Sequence, residues 1–148
     1  MFMCDGYKFS ICQLINIMAT IDAHAYLTQR ILVVDDSELL LRAYTHALRS
    51  FGFDVDCAFD GVHGYNSFQL EPYDLVITDF DMPNLNGVEF FNKVRLNSDE
   101  SFLIPFILIT GTSIDSIPYD VAGFSSILSK PVGLSILRDE IFRLLALR

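Results

Sequence analysis

The sequence predicts an α/β fold in which helices cover both faces of a doubly wound, five-stranded parallel sheet. From residue 29 onward, short apolar segments alternate with segments of helical periodicity. This order is typical of a parallel sheet with helices on its faces. Several of the apolar segments lack polar alternation, as expected for strands buried on both sides. Right-handed connections between parallel strands then give the doubly wound arrangement.

The first predicted strand and helix begin this region. Residues 31–34 form a continuous apolar strand that ends at Asp35 and Asp36. Residues 37–50 follow as an amphipathic helix, and Gly52 stands where a glycine commonly ends a helix. The residues predicted to share the apolar face of this helix are Leu40, Ala43, Tyr44, Ala47 and Leu48.

The later segments repeat the alternation. Residues 53–58 alternate apolar with mostly acidic side chains, which is typical of a half-exposed strand at a sheet edge. Residues 75–78 are a continuous apolar strand that leads into Asp79. Further strands are predicted at residues 105–110 and 127–128, and helices at residues 62–70, 87–96 and 134–147.

Composition narrows the class of protein. The chain has 148 residues, which suits one domain, and its formal net charge is -9. No basic patch is visible, so direct binding to nucleic acid is not expected, and the acidic balance favours protein partners or cations. Simple solubility is an equally good explanation of that charge. The three cysteines form no disulfide framework, which predicts reduced thiols in a cytoplasmic protein.

Residues 1–28 differ from the rest of the chain and are treated as an N-terminal extension. Apolar residues between Ile11 and Ala25 recur at helical spacing, so this extension is either an additional amphipathic helix or partly disordered. Such a helix would pack on the domain or on a second copy in a homodimer. Alternatively, Met18 begins a shorter chain. The apolar run at residues 9–18 is too short and too polar for membrane insertion.

Polar side chains interrupt the apolar pattern where strands end. Asp35 and Asp36 follow the first strand, Asp79 ends the third, Thr110 ends the fourth, and Lys130 follows the fifth. The functional crevice of an open parallel sheet lies outside the carboxyl ends of its strands. If the first, third and fourth strands are neighbours, these side chains converge there.

Three carboxylates in one crevice repel one another, and a hard divalent cation relieves that repulsion. Mg²⁺ is typically held by one or two carboxylates with water and phosphate oxygens. Lys130 adds a positive charge. This set of groups indicates phosphoryl transfer, in which catalysis is mainly positioning and neutralisation of charge.

Four segments carry a family resemblance: residues 31–36, 79–87, 109–111 and 130–131. In this order, and each at a strand end, they resemble the signature of response-regulator receiver domains. The resemblance covers residues 29–148 and implies a flavodoxin-like fold with strand order 2-1-3-4-5.

The resemblance also implies a role for each site residue. Asp79 matches the phospho-accepting aspartate. Asp35 and Asp36 match the acidic pair that arranges Mg²⁺, with Asp36 preferred as the direct ligand, and the backbone carbonyl of Asp81 is expected to reach the metal. Thr110 matches the hydroxyl residue that moves to the phosphoryl group.

The remaining match is the pair Lys130 and Pro131. Lys130 corresponds to the lysine that contacts a phosphoryl oxygen in the family. Pro131 suggests a cis peptide bond after this lysine, which is chemically plausible for a bond that precedes proline.

The implied function is a signalling receiver rather than an enzyme. It would take a phosphoryl group from a histidine kinase or phosphotransfer protein and then change its binding to an output protein whose identity the sequence does not give. The alternative is a Mg²⁺-dependent phosphohydrolase with an aspartate nucleophile, because Asp79 and Asp81 supply the D-x-D pair of such enzymes. A third reading, a pseudo-receiver that only binds partners, is disfavoured by the intact site residues.

Three departures from the family pattern bear on signalling. Ile127 stands where the family often has a tyrosine or phenylalanine switch. The segment after Thr110 contains Pro118 and few helix formers, so the fourth helix is predicted to be short or irregular and to carry the output response. Asp81 adds a carboxylate two residues after Asp79, with an effect on the phosphoryl lifetime whose sign is open.

Overall fold

The computed structural model describes residues 2–4, 7–9, 29–97 and 103–146. Five parallel strands form the central sheet: β3 (Arg30–Val34), β4 (Asp54–Ala58), β5 (Leu75–Asp79), β6 (Phe106–Thr110) and β7 (Ser126–Ser129). The helices are α1 (Glu38–Ser50), α2 (Gly61–Leu70), α3 (Gly87–Asn97) and α4 (Leu134–Ala146). The sheet order β4-β3-β5-β6-β7 confirms the predicted order 2-1-3-4-5.

The N-terminal extension contains a short hairpin. Strands β1 (Phe2–Cys4) and β2 (Tyr7–Phe9) pair antiparallel. The segment of helical spacing between Ile11 and Ala25 lies outside the described residues, so its helix stays a prediction.

The sheet separates two apolar cores. Alternate residues of a strand point to opposite faces, so Ile31 and Val33 join one core while Leu32 and Val34 join the other. Helices α1 and α4 cover the first face, and α2 and α3 cover the second. Each fully buried leucine or isoleucine contributes about 2 kcal/mol relative to an exposed one, which explains why continuous apolar strands favour this layered arrangement.

Helix α1 differs in one respect from its predicted face. Ser37 caps the helix, and its hydroxyl accepts a hydrogen bond from the Leu40 amide at 3.4 Å. Tyr44 is buried as predicted, but Ala43 is exposed and Leu41 is buried in its place. The buried stripe is therefore rotated toward Leu41, whose larger side chain gains more from burial than a methyl group does.

The fourth helix, predicted to be short or irregular, is reduced to a single 3₁₀ turn in the segment between β6 and β7. Residues 111–125, all of which are described, contain one 3₁₀ turn at Ile114–Ser116. Ile117 and Phe124 are buried and fix the segment to the core on the α3 side. Phe124 stacks on Phe91 of α3 with ring centroids 4.3 Å apart.

Candidate functional site

Three polar residues meet where neighbouring strands end. Strand β5 pairs with both β3 and β6. The three strands are therefore neighbours, which is the condition under which their terminal side chains were predicted to converge. Asp35 follows β3, Asp79 ends β5 and Thr110 ends β6. All three are buried, with relative exposures of 2%, 3% and 0%. Buried polar groups at the end of an apolar sheet are costly unless they are paired, so their presence indicates a chemical role.

Asp36 completes a cluster of carboxylates with Asp35 and Asp79. One carboxylate oxygen from each residue lies within 4.8 Å of the other two. Asp36 is exposed and opens the cluster to solvent. The Ser37 amide donates to Asp35 Oδ1 at 2.8 Å. Burial raises the pKa of Asp35 and that of Asp79, because a buried carboxylate loses hydration.

Lys130 supplies the positive charge of the site. Its Nζ lies 2.8 Å from Asp79 Oδ1 and 3.6 Å from Asp35 Oδ2. Burial acts to lower the pKa of Lys130, but the hydrogen bond and charge of Asp79, together with Asp35, outweigh it and the pKa is raised. The Lys130 amide donates to the Thr110 carbonyl at 2.8 Å, and the Lys130–Pro131 peptide bond is cis, as predicted.

The cluster has the chemistry of a magnesium site. Its donors are all carboxylate oxygens, two of them buried and one exposed. Mg²⁺ prefers hard oxygen ligands and keeps several waters, so an open site with few carboxylates suits it better than a closed protein cage. These residues therefore fit the cation that the sequence predicted.

The loop after Asp79 is held by a close approach of two backbone segments. The Gly87 amide donates to the Phe80 carbonyl at 3.1 Å. A Cβ atom at Gly87 would overlap the carbonyl oxygen of Asp79 and crowd Leu108. Only glycine fits without displacement of the backbone that carries Asp79.

Asn86 and Glu89 cap helix α3 at the end of this loop. Asn86 Oδ1 accepts from the amides of Val88 at 3.0 Å and Glu89 at 2.9 Å. Glu89 Oε2 in return accepts from the Asn86 amide at 3.0 Å. This reciprocal cap satisfies free amides of the first turn and fixes where the helix begins.

The hydroxyl of Thr110 is engaged within its own loop. It donates to the Thr112 carbonyl at 3.1 Å and accepts from the Thr112 amide at 2.9 Å. Thr112 Oγ1 donates to Asp81 Oδ2 at 3.2 Å. The Asp81 carboxylate, the second member of the D-x-D pair, is exposed and accepts this hydrogen bond. Thr112 was not predicted as a site residue, although the sequence places a second hydroxyl two residues after Thr110.

Tyr119 is a further residue that the sequence did not identify. Its hydroxyl accepts from Asn86 Nδ2 at 3.1 Å and donates to Glu89 Oε1 at 3.2 Å. Its ring meets Phe80 edge-on, with centroids 6.3 Å apart. Ile127 is half-buried in β7 and packs against the core on the α3 side. No local pattern predicts the Tyr119 contacts, because they depend on the path of an irregular loop.

A family match identifies the class of this domain. The family model for the response regulator receiver domain matches residues 31–142. The chain belongs to this family. Receiver domains accept phosphoryl groups in two-component signalling, so the predicted fold and general function are confirmed.

Relatives and solved structures agree with this assignment. The transcriptional regulatory protein CrdR of Helicobacter pylori is 29% identical over an aligned length of 119 residues, and the match covers 78% of this chain and 54% of CrdR. The sensor protein EvgS of Escherichia coli is 32% identical over an aligned length of 117 residues, and the match covers 77% of this chain and 9% of EvgS. The chain thus spans about half or less of these relatives' lengths, and receiver domains occur both in regulators and in sensor proteins.

Two solved structures share the fold. The chemotaxis response regulator CheY4 of Vibrio cholerae has a TM-score of 0.72 and 29% identity, and the match covers 79% of this chain and 98% of CheY4. The response regulator TrrA of Thermotoga maritima, solved in complex with Mg²⁺–BeF, has a TM-score of 0.70 and 27% identity, with 78% and 98% covered. Within the described residues, no helix is both long and apolar enough to cross a membrane.

Proposed function

We propose that Asp79 is the phospho-accepting residue of this receiver, and that Asp35, Asp36, Asp79 and the backbone carbonyl of Asp81 hold Mg²⁺ during the transfer. One observation carries the proposal. Asp79 is a buried carboxylate, yet it lies against an ammonium group and two further carboxylates at the open end of the sheet. Mg²⁺, when bound, neutralises charge on the reacting oxygens.

The chain's own residues then act as follows. A carboxylate oxygen of Asp79 forms the bond to phosphorus while the bond from phosphorus to the donor's imidazole nitrogen breaks, and that electron pair stays on the nitrogen. Lys130, already beside Asp79, neutralises charge on the transferred group. Thr110 exchanges its bonds to Thr112 for one to a phosphoryl oxygen. The proposed donor is a histidine kinase or phosphotransfer protein.

The protein would therefore act as a cytoplasmic signalling receiver rather than as an enzyme. Phosphorylation would change binding to an output protein through residues 111–124, which include Thr112, the hydrogen-bond partner of the Thr110 hydroxyl, and carry no α-helix. Because the chain is acidic, we do not expect it to bind nucleic acid directly. We also propose that two copies of the chain form a homodimer. An assay with p-nitrophenyl phosphate tests the alternative, since a phosphohydrolase would release product repeatedly whereas a receiver would not.

Phosphorylation by acetyl phosphate tests the site directly. The chain should gain one phosphoryl group in the presence of Mg²⁺ and none in EDTA, as measured by intact mass at low temperature.

Asp36→Ala should weaken Mg²⁺ binding about tenfold or more, because the variant loses a direct ligand. NMR titration with Mg²⁺ measures this affinity.

The matched control for Asp36 is Asp139→Ala, which removes an exposed carboxylate from α4. It should bind Mg²⁺ as the parent does. Equal Mg²⁺ affinity in Asp36→Ala and the parent would contradict the assignment of Asp36.

Lys130→Ala should fold but lose the conformational response to beryllofluoride. The variant lacks the ammonium group that lies 2.8 Å from Asp79 Oδ1, so no side-chain cation binds the anion and draws the loop before Pro131 with it. Comparison of NMR spectra with and without beryllofluoride, in Mg²⁺, measures the response.

The control for this variant is Lys93→Ala, which removes an exposed lysine from α3. Its response should match that of the parent. A full response in Lys130→Ala would show that this lysine has only a structural role.

A further inference from the structure

Residues 111–124 are tied at two points to the loop that follows Asp79. The first tie is the hydrogen bond from Thr112 to Asp81, and the second is the set of contacts made by Tyr119. The first tie depends on Thr110, because the hydroxyl of Thr110 holds the backbone of Thr112. When Thr110 turns to a phosphoryl oxygen, its bonds to Thr112 are lost and the first tie loosens.

Tyr119 makes the second tie to the structure that positions Asp79. Its hydroxyl binds both members of the α3 cap, Asn86 and Glu89, and its ring lies against Phe80, the residue directly after Asp79. Phe80 and Asn86 both lie in this loop, so a displacement of the loop moves two of these three partners of the Tyr119 side chain together.

We infer that Tyr119 is the positioning residue that couples occupation of Asp79 to the arrangement of residues 111–124. The inference rests on the proposed function of Asp79 and adds the route by which the signal leaves it. Tyr119 touches no reacting atom; it acts through Phe80, Asn86 and Glu89.

The surroundings of Tyr119 allow it to transmit movement. The chain is anchored on either side by the buried side chains of Ile117 and Phe124, whereas Pro118 and Asp120 are exposed. Tyr119 itself is 38% exposed, so its ring can shift without opening the core. A partly exposed aromatic ring between two buried anchors can change position when its partners move, whereas a fully buried ring is held in place by close packing.

Ile127 is a poorer candidate for this role. It lies in the regular strand β7 and has an apolar, β-branched side chain that packs against the core on the α3 side. Such a side chain is stiff at χ1 and makes no directional bond. Its adjustments are therefore limited to small changes in packing.

Hydrogen exchange of the full chain in Mg²⁺, with and without beryllofluoride, tests the coupling. The parent should change its protection across residues 111–124. In Tyr119→Phe this change should shrink about threefold or more, the size expected from loss of a hydrogen bond that links two segments. Occupation of Asp79 by beryllofluoride, measured in the same samples by ¹⁹F NMR, should stay equal to that of the parent.

Two variants serve as controls. Tyr65→Phe removes a tyrosine hydroxyl from α2, outside both loops, and Ile127→Val trims the strand residue. Both should keep the full change in residues 111–124. A full change in Tyr119→Phe at equal occupancy would overturn the coupling and leave the proposed function intact. Failure of the parent to bind beryllofluoride would instead refute the role of Asp79, and the coupling with it.

Discussion

Acetyl phosphate in Mg²⁺ should label Asp79→Asn at least about 100-fold more slowly than the parent. The amide has nearly the shape of the carboxylate but is a far weaker nucleophile and carries no charge to hold Mg²⁺ or pair with Lys130. The measurement is intact mass at low temperature after a timed incubation.

This test is discriminating because other carboxylates lie close by. Asp35 and Asp36 each place an oxygen within 4.8 Å of one from Asp79, so a nonspecific reaction would find alternative acceptors. Asp139→Asn changes the same group on the exposed surface of α4 and should be labelled like the parent. If Asp79→Asn is labelled as fast as the parent, another residue is the acceptor.

Gly87→Ala should lower the free energy of unfolding by about 3 kcal/mol, at the upper end of the range for overpacked sites. The added methyl group would overlap the carbonyl oxygen of Asp79, and backbone has no alternative rotamer with which to relieve the clash. Urea denaturation of parent and variant measures the difference.

Gly111→Ala is the matched control for this substitution. None of the described atoms outside its immediate chain neighbours lies within 4 Å of the Cβ that it would introduce, and residue 111 is exposed. Its stability should change by less than about 0.5 kcal/mol. Equal stabilities of Gly87→Ala and Gly111→Ala would show that the backbone near Asp79 can shift at little cost in free energy. The loop would then not fix the position of the Asp79 carboxylate.

The layers and the main site residues were predictable because they follow from periodic patterns. Continuous apolar runs at residues 31–34 and 75–78 indicated strands buried on two faces, and their neighbouring positions brought Asp35 and Asp79 together. Pro118 likewise indicated an irregular segment. These signals are local, so a single sequence carries them.

The contacts between loops were not predictable in the same way. The bond of Thr112 to Asp81 and the bonds of Tyr119 depend on how Ile117 and Phe124 anchor an irregular backbone on the core. No residue spacing encodes that path. The buried face of α1 was misjudged at Ala43 for a related reason, since the rotation of a helix is set by packing against the sheet as well as by its own periodicity.

In the response proposed above, the resting bonds of the Thr110 hydroxyl limit how completely phosphorylation shifts the loop. Its two bonds to Thr112 contribute about 2 kcal/mol together, and one charge-assisted bond to a phosphoryl oxygen contributes about the same. A shift from 1:99 to 99:1 requires about 5.5 kcal/mol, so this exchange by itself leaves both arrangements populated before and after phosphorylation. We therefore expect basal output and incomplete activation in the isolated chain, and we expect a binding partner that prefers one arrangement to supply the remaining bias.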